Sequence, residues 1–171
     1  MKLERRSELS VPVLLEGRPA SRDELAAWLL DPPRLLQQLL SGEQLEVQAS
    51  GQFLYFPRPL QLPGILIAPQ VHFRADGQAS LLAISLIDYR LPGLAALERN
   101  ACYRFSAELQ AVDGAFRMRA KATLTLNIGG GGLGMPEPLL AFLGNRALGL
   151  IFGRLEQRCR RNLGSRLLPG S

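Results

Sequence analysis

The sequence MPEPLLAFLGNRALGLIFGRLEQRCRRNLGSRLL, residues 135–168, predicts one long helix in the last third of the chain. Its opening residues include two prolines and Glu137, which suit the first turn of a helix, and the next proline is Pro169. Only two side chains between Leu139 and Gly153 are polar. A helix that is apolar nearly all round is covered on more than one side, so we expect other elements to enclose this half.

The second half of the helix turns basic but keeps one apolar stripe at four-residue spacing, formed by Leu155, Cys159, Leu163 and Leu167. Three glycines interrupt the helix, and each costs about 1 kcal/mol relative to alanine. A close approach of the helix backbone to a neighbouring element would explain Gly144, Gly149 and Gly153. We interpret that neighbour as a curved sheet, with a cavity between sheet and helix.

The chain before this helix begins with a strand and two short helices. Apolar and polar residues alternate from Ser10 to Glu16, and Pro12 suits a strand at a sheet edge. Ser21 and Glu24 form a capping box at the start of the first helix. Asp31-Pro32 then ends that helix and begins the second, with Asp31 as its N-cap.

From Glu43 to Ile128 the apolar pattern has a period of two, which predicts antiparallel strands. A loop or irregular edge from Pro57 to Gly64 and a longer connection from Leu91 to Asn100 interrupt these strands. Gly51 indicates a bend or bulge within the first of them. Asp76-Gly77 and Asp113-Gly114 are hairpin signals. The last strand alternates most regularly, with inward Phe116, Met118, Ala120, Ala122, Leu124, Leu126 and Ile128 against outward Arg117, Arg119, Lys121, Thr123 and Thr125.

Strands grouped together beside segregated helices predict an α+β fold. We expect a curved antiparallel sheet of about six strands that grips the long C-terminal helix, with two short helices after the first strand. Residues 1–9 form an N-terminal extension, 10–168 one domain and 169–171 a tail. One helix fills the concave side of a long twisted sheet only in part, so a cavity remains. Its expected lining is Phe53, Tyr55, Ile67, Phe73, Ile84, Leu86, Tyr103, Phe105, Phe116, Met118, Leu124, Leu148 and Phe152.

The formal charge of +5 is concentrated at the end of the chain, because residues 146–171 hold six arginines and one glutamate. One interpretation is a solvated helix end, where cations complement the helix dipole. The other is a contact with an anionic membrane surface or an acidic protein through Arg154, Arg158 and Arg161. No apolar run suits a transmembrane helix or a signal peptide, so we expect a protein in the cytoplasm or peripheral to membranes.

The residues offer little for catalysis. Strand parity places His72, the only histidine, on the outer face, so no dyad or triad forms around it. Tyr55 and Tyr103 are the inward ionisable side chains, and Asp88 is a further candidate. Phenols in an apolar pocket orient a ligand more often than they react. We therefore predict no catalytic residue, and no cofactor or metal.

Three further features of the sequence are interpreted as structural and not as functional sites. Gly129-x-Gly131-x-x-Gly134 matches a dinucleotide fingerprint but lacks the βαβ unit, so we interpret the glycines as a hinge that lets the helix lift. The outward row of Arg117, Arg119 and Lys121 lacks interleaved aromatic residues, which argues against a nucleic acid partner. The two cysteines, Cys102 and Cys159, are expected to be buried.

Four stretches carry a resemblance to known proteins: Trp28-Leu29-Leu30-Asp31-Pro32-Pro33-Arg34, Gly51-Gln52-Phe53-Leu54-Tyr55 with Arg58-Pro59, Ile67-Ala68-Pro69-Gln70-Val71, and Leu143-Gly144-Asn145-Arg146-Ala147-Leu148. They are similar to a family of unknown function found mainly in cyanobacteria and chloroplasts, over residues 10–168. The order of elements resembles the START-like helix-grip superfamily, in which the C-terminal helix closes an apolar cavity. That family implies no catalytic residues, and its frequent acidic-aromatic tail differs from the Leu168-Pro169-Gly170-Ser171 ending here.

These observations predict non-enzymatic binding of a hydrophobic small molecule, such as a lipid, an isoprenoid or a pigment-like compound, between sheet and C-terminal helix. The alternative is an interaction or assembly factor that docks an acidic partner or a membrane surface through its basic C-terminal helix. A cyclase-like or hydrolytic enzyme would need an inward acid or base that the pattern does not supply.

Overall fold

The computed structural model describes residues 1–127 and 133–164 and is built on one antiparallel sheet of seven strands. The strands are β1 (Lys2–Pro12), β4 (Gln44–Ala49), β5 (Gln52–Phe56), β8 (Gln70–Gln78), β9 (Leu81–Arg90), β10 (Ala101–Val112) and β11 (Ala115–Leu126), in the order β1-β11-β10-β9-β8-β5-β4. Two small hairpins complete the strands: β2 (Leu14–Leu15) with β3 (Arg18–Pro19), and β6 (Leu60–Leu62) with β7 (Ile65–Ile67).

Within the described residues four helices accompany the sheet: α1 (Arg22–Leu29), α2 (Pro32–Leu39), α3 (Ala95–Asn100) and α4 (Glu137–Leu163). The predicted α+β fold with a long C-terminal helix is therefore confirmed. The capping box of α1 forms, with Ser21 accepting from the Glu24 amide and Glu24 accepting from the Ser21 amide. Asp31 precedes α2 but makes no side-chain cap bond.

The alternation of β11 explains the position of the core. Its inward side chains are buried from Phe116 to Ala122, whereas Arg117, Arg119 and Lys121 are exposed. β1 pairs with β11 over its full length, from Lys2 opposite Thr125 to Pro12 opposite Ala115. Residues 2–9, which the sequence analysis assigns to an extension, thus form most of an edge strand. Pro12 lies on that edge, where its missing N–H costs no ladder bond.

α4 crosses the sheet close to β1 and β11. A Cβ on Gly144 would contact the Leu3 side chain and would lie 3.3 Å from Cδ2 of Leu124, which confirms the close approach at this glycine. A Cβ on Gly153 would face open space, and one on Gly149 would make a single ordinary contact at 3.8 Å. A close approach therefore does not explain these two glycines. The apolar half of α4 is not covered all round either, since the Phe142 side chain is 56% exposed.

Three local predictions were wrong. Gly51 occupies a turn with φ of 73° between β4 and β5, which splits one predicted strand in two. Gly77 lies within β8 and not in a hairpin turn, and the chain reverses at residues 79–80. Cys102 is exposed on β10, although Cys159 is buried as expected. The predicted hairpin at Asp113-Gly114 is confirmed, whereas the proposed glycine hinge at 129–132, and residues 165–171, lie outside the described residues.

Candidate functional site

A cavity of about 360 Å³ lies between the concave face of the sheet, the β6–β7 hairpin, α2 and α4. The strands of the main sheet contribute Tyr55, Val71, Phe73, Ile84, Leu86, Tyr89, Tyr103, Phe105, Leu124 and Leu126. The helix α4 contributes Leu140, Leu143, Gly144, Ala147, Leu148, Ile151, Arg154, Leu155 and Arg158. Apart from three tyrosines and a cluster of charged residues at one end (Glu43, Arg58, Arg154 and Arg158), the lining residues are apolar.

The structure brings nine of the predicted lining residues to this cavity: Tyr55, Ile67, Phe73, Ile84, Leu86, Tyr103, Phe105, Leu124 and Leu148. The other four are buried in the packed core and do not line it: Phe53, Phe116, Met118 and Phe152. The Phe53 ring stacks on Phe73 at 5.3 Å, and the Phe152 ring packs at 6.2 Å from that of Phe105. Strand parity identified the correct face, but α1 and neighbouring rings fill part of it.

Sequence reasoning missed the parts of the wall that β6 and α2 provide. The segment 57–64 was expected to be a loop or an irregular edge. It contains the short strand β6, and both Leu60 and Leu62 line the cavity. The alternation of Leu60, Gln61 and Leu62 was the available signal, but three residues are too short for a periodicity argument. From α2, Leu36 and Leu39 face the same space.

Tyr103 is the least satisfied polar group of the wall. Burial raises the pKa of its phenol well above the ordinary value, and its hydroxyl has no hydrogen-bond partner among the described residues. The neighbouring Tyr89 hydroxyl, by contrast, donates to the Ala101 carbonyl at 2.8 Å and accepts from the Tyr103 amide at 3.3 Å. An unpaired hydroxyl in an apolar wall is a group that a ligand oxygen could satisfy.

The carboxylate of Glu43 organises the polar end of the cavity. It accepts hydrogen bonds from the Tyr55 hydroxyl at 2.8 Å and from the Arg58 amide at 2.7 Å, and it forms an ion pair with Arg158. The Glu43 side chain is only 7% exposed. Burial raises the pKa of the Tyr55 phenol to about 12, so this hydroxyl remains a donor at neutral pH.

The three arginines predicted to contact an anionic surface lie beside this carboxylate. Arg154 donates to the carbonyls of Arg58 and Pro59 at 2.6 and 2.9 Å, and Arg158 donates to the Ser41 carbonyl at 3.3 Å. Arg161 is exposed. All three line a second, polar recess of about 410 Å³, together with Ser41, Gly42, Arg58, Gln157 and Asn162.

Other ionisable candidates lie away from the cavity. The Asp88 side chain is 62% exposed and accepts from the Tyr89 amide, because a bulge at His72/Phe73 shifts the register beside it. His72 is half-buried where we expected exposure, and its Nε2 has no hydrogen-bond partner among the residues that the structure describes. Within residues 1–127 and 133–164 no group of three His, Cys, Asp or Glu side chains could hold a metal, and no helix there is long and apolar enough to cross a membrane.

Comparison with known sequences gives no assignment: no family model and no curated protein matches this chain. Solved structures do match. The di-domain ARO/CYC protein BexL of the BE-7585A biosynthetic pathway is 12% identical, with a TM-score of 0.53, over 96% of this chain and 52% of its own. The di-domain ARO/CYC protein StfQ of the steffimycin pathway is 11% identical, with a TM-score of 0.52, over 95% and 50%.

The chain has the START-like helix-grip fold. It spans about half the length of each of these two-domain proteins. Norcoclaurine synthase from Thalictrum flavum, solved with dopamine and hydroxybenzaldehyde, is 12% identical over 92% of this chain and 86% of its own, with a TM-score of 0.47. The narrower resemblance to a cyanobacterial and chloroplast family stays a prediction.

The expectation that the protein is not an enzyme is corrected by these comparisons. Proteins that share the helix-grip fold include the two ARO/CYC proteins of biosynthetic pathways. The sequence argument relied on the absence of an inward acid or base, and that premise was wrong as well. Glu43 follows α2 and brings a carboxylate to one end of the cavity, where strand parity could not place it.

Proposed function

We propose that the protein binds a hydrophobic small molecule, of the lipid, isoprenoid or pigment-like class, in the cavity between the sheet and α4. The observation that carries this proposal is the composition of the wall, which is almost entirely aliphatic and aromatic. Ligand cavities of about 300–1,000 Å³ with apolar walls and a few polar groups are the usual form of small-molecule sites. The volume of about 360 Å³ falls in that range.

The arrangement of polar groups supports the same proposal. The unpaired hydroxyl of Tyr103 offers one hydrogen bond inside an otherwise apolar wall. The charged groups are confined to one end, where Glu43 and Arg158 satisfy each other. An apolar molecule therefore gains burial along the wall without stripping a buried charge of its partner.

Titration with a neutral fluorescent probe, N-phenyl-1-naphthylamine, tests the proposal. The wild-type protein should enhance its emission saturably, at about one probe per chain. Ala147→Trp, which places an indole in the cavity wall, should abolish this, since Ala147 lines the cavity. Asn145→Trp is the matched control, because Asn145 is exposed on the same helix and should leave binding unchanged. No saturable emission from the folded wild-type protein would contradict the proposal.

Docking of an acidic partner or membrane surface through the basic helix end has weaker support. Arg154 and Arg158 direct their guanidinium groups at backbone carbonyls and at Glu43 within the same chain. Both side chains are thus held at the rim of the cavity, and Arg161 alone of the three is exposed. Their placement fits the end of a small ligand better than a flat surface.

A further inference from the structure

The apolar cavity and the polar recess adjoin each other. Arg58, Arg154 and Arg158 line both spaces, so the cavity and the recess meet at these three residues. The recess has a volume of about 410 Å³, enough for a head group and its waters. The pair of spaces has the outline of an amphiphile, with one apolar and one polar compartment.

The charge of the recess is unbalanced. Four arginines line it or its rim, at positions 58, 154, 158 and 161, and Glu43 is the one carboxylate beside them in the part of the chain that the structure describes. That carboxylate already pairs with Arg158 and accepts from Tyr55 and the Arg58 amide. No described carboxylate pairs with Arg58, Arg154 or Arg161, so three positive charges face the recess without a counter-charge.

The guanidinium groups are also positioned in advance. Two backbone carbonyls hold Arg154, while the Ser41 carbonyl and Glu43 hold Arg158. Each guanidinium has five N–H donors, so donors remain on both residues after these bonds are made. Burial, and after it the positive charge of the neighbouring Arg161, lower the pKa of Arg158 from its usual value. Pre-ordered donors reduce the entropic cost of binding.

From these observations we propose that the ligand is an anionic amphiphile, with its apolar tail in the cavity and a carboxylate or phosphate head in the recess among Arg58, Arg154 and Arg161. The inference rests on the proposed function, because the tail needs the cavity. Guanidinium groups bind carboxylates and phosphates through paired, charge-assisted hydrogen bonds, which a neutral alcohol cannot reproduce. The head group therefore supplies selectivity, and the cavity supplies burial.

Displacement of N-phenyl-1-naphthylamine by four ten-carbon compounds tests the head group at constant tail: decanoate, decyl phosphate, decan-1-ol and decyltrimethylammonium, each below its micelle concentration. Decanoate or decyl phosphate should displace the probe at a concentration about tenfold lower than decan-1-ol, as expected for one charge-assisted hydrogen bond. The cation should be the weakest. The better of the two anions identifies the head group.

The double variant Arg58→Gln/Arg161→Gln should remove the anion preference, so that decanoate, decyl phosphate and decan-1-ol displace the probe at similar concentrations. Both side chains are exposed and pair with no carboxylate in the described part of the chain, so the variant should fold. Arg104→Gln/Arg117→Gln removes the same charge from exposed positions on β10 and β11 and should keep the preference. If anion and alcohol displace the probe equally well from the wild-type protein, the head-group inference alone is overturned. Loss of probe binding to the wild-type protein would overturn the proposed function.

Two further measurements distinguish an anionic amphiphile from a free anion and from an anionic membrane. Inorganic phosphate alone should bind at least about tenfold more weakly than decyl phosphate, since it gains no burial. Equal affinity would mean a free-anion site and overturn the inference. Vesicles of phosphatidylcholine with phosphatidylserine should retain the protein no better than phosphatidylcholine vesicles do. Retention that depends on phosphatidylserine and is lost in Arg58→Gln/Arg161→Gln would overturn it in favour of membrane docking.

Discussion

The carbonyl group of Leu29, the last residue of α1, lies against the α-carbon of Gly77 in β8. A Cβ on residue 77 would lie 3.1 Å from the Leu29 carbonyl carbon, closer still to its oxygen, and 3.3 Å from Cγ of Pro32. A backbone group cannot rotate away as a side chain can. The junction of α1 and α2 therefore packs on the sheet only because residue 77 has no side chain.

Replacement of this glycine should destabilise the protein. We expect Gly77→Ala to lower the free energy of unfolding by about 1–3 kcal/mol or more, because α1 must move off the sheet. Urea denaturation followed by far-UV circular dichroism measures this. Gly153→Ala is the control, since a Cβ there meets nothing within 4 Å, and should stabilise the helix by up to about 1 kcal/mol. A Gly77→Ala protein as stable as wild type would contradict this packing.

A milder effect is expected where α4 crosses β1. A Cβ on Gly144 would collide with the end of the Leu3 side chain, which can move more easily than a backbone. Gly144→Ala should therefore cost about 1 kcal/mol, and Leu3→Ala in the same chain should recover part of that loss. Strictly additive effects in the double variant would show that the two residues do not touch.

Much of the fold follows from the sequence because its signals are local. β11 alternates without interruption, and Asp113-Gly114 forms the expected hairpin with Gly114 at φ of 80°. Gly77 was misread because the dipeptide Asp76-Gly77 is typical of a hairpin turn, whereas the glycine is required by a contact with Leu29, distant in sequence. Such contacts between distant elements leave no periodic trace in the residues around them.

The candidate site was predictable only in part, for the same reason. The alternation of side chains gives the inward face of each strand, but it does not show how far along the strand the cavity extends. Phe116 and Phe53 were therefore assigned to the cavity wall, although both are fully buried in the core. Glu43 lies in a short link between α2 and β4, where no periodicity applies. Its partner Arg158 lies more than a hundred residues later, so only the folded chain joins them.

The two cysteines should differ sharply in reactivity. Cys102 is exposed, whereas burial raises the pKa of the Cys159 thiol to about 12. The thiolate is the reactive form, so at pH 8 one equivalent of Ellman's reagent should react quickly and the second only after unfolding in urea. Cys102→Ser should remove the fast reaction. Fast reaction of both thiols in the native protein would show that α4 opens readily.

Alkaline pH should weaken the fold through Tyr55. Burial raises the pKa of this phenol from 10.0 to about 12. The protonated Tyr55 phenol therefore contributes fully to the stability of the folded protein below pH 10. This contribution is lost as the pH rises towards 12, because the phenol loses its proton at a lower pH in the unfolded protein than in the folded one. Tyr55→Phe should be less stable than wild type at pH 8, and the difference should shrink above pH 10. Both proteins contain Cys159, so its titration cancels in the comparison. A constant difference up to pH 11.5 would contradict a buried Tyr55 phenol.

Glu43 should be the most sensitive polar position in the cavity wall. Glu43→Ala leaves the Tyr55 hydroxyl, the Arg58 amide and the Arg158 guanidinium without their shared acceptor. We expect a loss of about 1–3 kcal/mol in the free energy of unfolding, because unpaired buried donors carry their full desolvation cost. The loss for Glu43→Ala/Arg158→Ala should be smaller than the sum of the two single losses, since the second change removes a charge that the first leaves unpaired.

Glu46→Ala, at an exposed position on β4, should change stability by no more than about 0.5 kcal/mol. Equal effects at Glu43 and Glu46 would mean that the carboxylate of Glu43 is hydrated in solution and does not organise the polar end of the cavity.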